Sequence, residues 1–74
     1  MSMLLEYNYA ILGENNRCVG CRTYSCEVPL DNYIPVPDAR NEYVGTYYNS
    51  TTDLWYEDAD FTIEATEVNE MYHG

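Results

Sequence analysis

The residues from Asn41 to Glu57 restrict the fold more than any other stretch, because only there do aromatic side chains, a turn and a glycine occur together at fixed spacing. Tyr43 to Tyr48 is rich in residues that favour a pleated strand, Asn49 to Asp53 supplies turn chemistry, and Leu54, Trp55 and Tyr56 begin a return strand. The stretch predicts a β-hairpin. Adjacent Tyr47 and Tyr48 face opposite sides of a regular strand, so the hairpin cannot bury all of Tyr43, Tyr47, Tyr48, Trp55 and Tyr56. Cross-strand aromatic pairs are worth about 0.2–1 kcal/mol each, which accounts for some of the five. The aromatic face left over is open to a partner or a second sheet. Together with Phe61, these five residues form the candidate partner-binding set. Gly45, directly after Val44, reads as a strand position kept small for close backbone approach.

The chain before this hairpin predicts a second one. From Leu4 to Leu12 the residues alternate, with Leu5, Tyr7, Tyr9 and Ile11 on one face and Glu6, Asn8 and Ala10 on the other, the pattern of a strand with one wet side. Gly13 to Asn16 carries residues that tolerate a left-handed backbone, and the run from Arg17 to about Ser25 returns. Gly20 inside that run points to a bulge or a close approach. Pro29, Pro35 and Pro37 then remove backbone donors, so Tyr33 to Pro37 is expected to be an extended connector or edge. The expected fold is all-β: a small antiparallel module of two hairpins over residues 1–58, joined by a Pro-containing connector.

Residues 59–74 differ in composition. Acidic residues crowd Glu57 to Glu70, no Lys or Arg follows Arg40, and the apolar anchors Phe61, Ile63, Val68 and Met71 fit neither a clean helical stripe nor full strand alternation. They read as an acidic C-terminal arm with a short strand near Phe61 to Ala65, of the kind that orders on a partner.

Length sharpens the point. A chain of 74 residues buries only about 60% of the surface its unfolded form exposes. Such a core supports roughly 3–5 kcal/mol unless a disulfide, a metal or another chain adds to it. The 13 acidic side chains against 3 basic ones, with no lysine and a net charge of -10, disfavour nucleic acid as a direct partner. Solubility, a cation or a basic protein surface remain. No apolar run reaches the roughly 20 residues of a membrane span, and Met1 to Glu6 lacks the features of a signal peptide. No membrane contact is expected.

Chemistry has few footholds. Cys18 and Cys21 with Cys26 and a distant His73 suggest a zinc-stabilised miniature domain, but residues three apart on a strand face opposite ways and the fourth ligand lies in the arm. The cysteines therefore read as free small apolar side chains, and no cofactor is expected. Nothing selects an acid–base pair among the 13 carboxylates, and no nucleophile–histidine arrangement occurs, so the chain does not read as an enzyme.

The order Tyr9 to Leu12, Glu14 to Asn16, Cys18 to Gly20, Asn32 to Pro37, Glu42 to Gly45, Tyr48-Asn49 and Leu54 to Tyr56 resembles the small virion accessory proteins and fibre-module domains of tailed phages. The resemblance spans about residues 7 to 58. It implies a non-enzymatic virion protein of tail, fibre, baseplate or capsid, made in the host cytoplasm, with other virion proteins as many-copy partners and self-association as a further option. Cys21, Cys26 and the acidic arm depart from that pattern. The charge itself suggests an alternative: an acidic inhibitor that mimics nucleic acid and occupies a host nucleic-acid-binding protein.

Overall fold

The computed structural model describes residues 6–74. Strands β1 (Tyr7–Leu12), β2 (Cys18–Tyr24), β3 (Tyr33–Pro35), β4 (Tyr47–Asn49) and β5 (Leu54–Tyr56) precede a C-terminal helix, α1 (Thr66–His73). They form two antiparallel sheets, of order β2-β1-β3 and β4-β5. The architecture is thus roughly all-β with one short helix. The expected strand residues Leu4 and Leu5 lie outside the described residues.

The first hairpin turns where the sequence places its turn, with Asn15 and Asn16 at φ 56° and 62°. Beyond the turn, Leu12 pairs with Cys18 and Ile11 with Gly20, so Val19 is an extra residue in β2 and stands 58% exposed. This is the bulge that Gly20 signalled. A Cβ at Gly20 would meet nothing within 4 Å, so close backbone approach is not its reason. The bulge also resets the side-chain alternation: Cys18 is in the core and Cys21 packs against the same core. The expectation that the two cysteines face opposite ways fails for that reason.

Both faces of the three-stranded sheet bury side chains. Ala10, expected on the wet face, is fully buried beside Leu12, Cys18 and Val36, with Ile34 packed against them. On the opposite face Tyr9 is buried by its neighbours Tyr24 and Tyr33, whose ring centroids lie 6.0 and 5.9 Å away, and its hydroxyl accepts the Val28 N–H at 3.1 Å. Alternation marked the strand correctly, but a tyrosine can be buried outside the main core when other rings cover it. The strand β3 runs beside β1 at the sheet edge, as its prolines required.

Cys18 joins the two sheets. Its N–H donates to Thr46 O at 2.8 Å, its carbonyl accepts the Gly45 N–H at 2.9 Å, and Arg17 bridges Tyr47. The approach requires a sharp turn after Tyr43, and Gly45 makes it at φ 92°. Tyr43 therefore lies in a 3-10 turn (Asn41–Tyr43) rather than in β4. Gly45 is not a strand residue, and nothing approaches the place of its missing Cβ within 4 Å. Its glycine is demanded by the backbone angle.

Residues 59–74, expected as an acidic arm with a short strand, run along the hairpin and end in helix α1. Asp58 organises the descent: Oδ1 accepts the N–H groups of Thr62 and Ile63, both at 2.9 Å. The chain then runs along β5, where Glu57 N donates to Ile63 O at 2.7 Å, Tyr56 bridges Glu64, and Ala65 N donates to Trp55 O at 3.0 Å. Only that bridge remains of the expected strand near Phe61 to Ala65. Helix α1 packs on the hairpin, burying Val68 and Asn69 beside the buried Ala65.

Candidate functional site

The two faces of the β4–β5 hairpin divide the six candidate residues. Pairing puts Tyr48 opposite Trp55 and Tyr47 opposite Tyr56. The Tyr48–Trp55 pair faces inward: Trp55 is fully buried, with the rings of Tyr48, Tyr43 and Tyr72 centred 4.9, 5.2 and 5.8 Å from its own. Tyr43 is also fully buried and Tyr48 nearly so. These three residues build the core and present no face to a partner. Tyr47, Tyr56 and Phe61 remain half-buried, with Phe61 edge-on to Tyr56 at 5.2 Å.

The remaining face continues onto neighbouring segments. Arg17 bridges Tyr47, Tyr47 pairs with Tyr56, and Tyr56 bridges Glu64. Residues directly opposite in antiparallel pairs share a face, so a cation, two phenols and a carboxylate form one row across four stretches of backbone. Sequence reading found the aromatics of this row. It missed Arg17 and Glu64, because neither membership follows from local spacing: each depends on which segment flanks the hairpin.

The inner face has its own polar anchors. Asn69 is 8% exposed, and its side-chain amide accepts the Trp55 N–H at 2.7 Å and donates to Trp55 O at 3.0 Å, replacing a strand at that edge. Asp53, at φ 56°, ends the turn that Asn49 Oδ1 organises by accepting the Thr51 N–H at 2.9 Å. Its Oδ1 accepts the hydroxyls of Tyr48 and, at 2.8 Å, Tyr72. Those hydrogen bonds, Tyr48 first, hold the Asp53 carboxyl below its usual range. Burial, followed by the Asp53 contact, raises both tyrosines. His73 Nε2 lies 2.8 Å from Asp53 O, which fastens the end of α1 to the hairpin turn.

The cysteines sit apart from this network. Burial raises the thiol of Cys18 and pushes that of Cys21 up to about 12. Cys26 is exposed. Among the described residues no group of three or more His, Cys, Asp or Glu side chains gathers in a metal-binding arrangement, and His73 is engaged with Asp53. A row of phenols with one arginine and one carboxylate offers flat apolar rings with polar tips, the composition enriched at protein contacts. No protein-family model, curated protein or solved structure matches the chain.

Proposed function

We propose that the chain is a non-enzymatic accessory protein of a tailed-phage particle that docks on another virion protein through the outer face of the β4–β5 hairpin. The row of Arg17, Tyr47, Tyr56 and Glu64, extended by Phe61, supports docking. The resemblance of residues 7 to 58 supports the virion as its setting. At the β4–β5 hairpin, face-on contact is favoured over strand addition. The outer edge of β5 is occupied by residues 63–65, and the sheet edge at β3 carries Pro35. Many copies on a symmetric particle would add avidity to a modest single contact.

The test is incorporation. Purified particles are expected to carry the wild-type chain in many copies by quantitative mass spectrometry, and a Tyr47→Ser/Tyr56→Ser double variant, folded by circular dichroism, is expected to be depleted at least tenfold. Equal incorporation of the folded variant would sink the docking face. The alternative of an acidic inhibitor draws on the absence of any Lys or Arg after Arg40. It requires the chain to be missing from particles and recovered with a host nucleic-acid-binding protein.

A further inference from the structure

A shallow trough of about 450 Å³ runs between the 3-10 turn at Asn41–Tyr43, the end of β5 and the start of α1. It continues along the helix into a second depression, since Glu42, Glu67 and Val68 line both. The floor is apolar: Ala65 and Val68 in the first part and Met71 in the second. The walls are carboxylates, with Glu57, Glu64 and Glu67 around the first part and Glu70 beside the second. Arg40, which lines the second part with Glu67, is already paired with Glu42 at 3.1 Å. Among the described residues Glu57, Glu64 and Glu67 form no salt bridge.

We infer that this trough receives an extended segment of a partner protein that bears lysine or arginine between apolar residues. The inference goes beyond the docking face proposed above. Charge complementarity selects the occupant. A second copy of the chain would bring another net charge of -10 against these walls. An anionic segment is repelled in the same way, and a purely apolar one leaves the walls without a counter-charge. A basic side chain satisfies both parts of the groove, laying its aliphatic stem along Ala65, Val68 and Met71 while its charged head reaches the rim. Because the heads stay partly in water, the electrostatic part acts mainly on encounter and register.

The probe is a fluorescein-labelled nonapeptide of alternating lysine and leucine, read by fluorescence polarisation. An ionic strength of 0.15 M limits attraction to charges within about 8 Å. Three proteins are compared: the full chain, a Glu57→Gln/Glu64→Gln/Glu67→Gln variant, and a Glu27→Gln/Asp31→Asn/Asp60→Asn variant that loses the same charge elsewhere. All six substituted residues are exposed, so the fold is expected to survive, and circular dichroism checks it. The full chain is expected to bind, the trough variant to weaken at least tenfold and the control variant less than twofold. Equal weakening of the two variants, or no binding by the full chain, overturns the inference.

Discussion

At the scale of single residues, Trp55 and Tyr43 differ in what their substitution tests. Both are fully buried, and neither Trp55 Nε1 nor the Tyr43 hydroxyl has a hydrogen-bond partner among the described residues. Truncating a buried tryptophan costs about 3–5 kcal/mol, as much as the roughly 3–5 kcal/mol expected of the whole domain. Trp55→Ala is therefore expected to be unfolded by circular dichroism at 25 °C. Tyr43→Phe keeps the ring and removes a buried, unsatisfied group. It should leave the melting temperature unchanged or raise it, with a gain of up to about 1 kcal/mol. Asp53 is tested by pH. Its carboxyl is depressed in the folded chain, so its contribution is complete above the ordinary aspartate value near 3.9 and is lost as pH falls through the lower folded value. Asp53→Asn should lower the melting temperature at pH 7, and the two proteins should converge as acid protonates Asp53. A constant gap down to the acid limit would contradict the role given to the Tyr48 and Tyr72 hydroxyls.

At the scale of elements, the hairpin turns and the proline-bearing edge were legible in the sequence because they rest on the backbone preferences of single residues, and the bulge because a glycine inside a strand marks one. Asn15 and Asn16 take positive φ, and Asn49 bonds its own turn. Helix α1 was not legible. Ala65, Val68, Asn69 and Tyr72 do follow helical spacing, yet the stripe contains an asparagine, and its burial makes sense only once Trp55's backbone is there to pair with it. Tyr43 was misplaced for the related reason that its turn is set by contact with Cys18, far away in sequence. Gly45 permits that turn. With φ at 92° and open space at the Cβ position, Gly45→Ala should cost about 1–2 kcal/mol of purely backbone origin. A synthetic chain with D-alanine at position 45 should melt at or above wild type, and a D-alanine chain as weak as Gly45→Ala would show that space, not angle, limits the site. The bulge makes a separate statement about the thiols. Cys26 is expected to alkylate first, Cys21 slowly, and Cys18 only on unfolding, as followed by mass spectrometry of iodoacetamide-treated protein.

At the scale of the whole molecule, the β4–β5 hairpin organises the chain by having two different faces. Its inner face closes a core that draws on both sheets and on the C-terminal helix. Its outer face displays Tyr47 and Tyr56 between Arg17 and Glu64. The aromatic-rich composition was visible in the sequence, but the division of labour was not, because only the fold shows which rings the helix covers. A thin core explains why the helix matters: without α1, Trp55 would lose the Tyr72 ring and the Asn69 amide together. The single tryptophan reports on this directly, through acrylamide quenching of its fluorescence in the full chain, in Tyr47→Ser/Tyr56→Ser and in a chain ended after Glu64. The emission should be blue-shifted and shielded from quencher in the first two and exposed in the third. A tryptophan quenched freely in the full chain, or still shielded after the helix is removed, would contradict the two-faced hairpin.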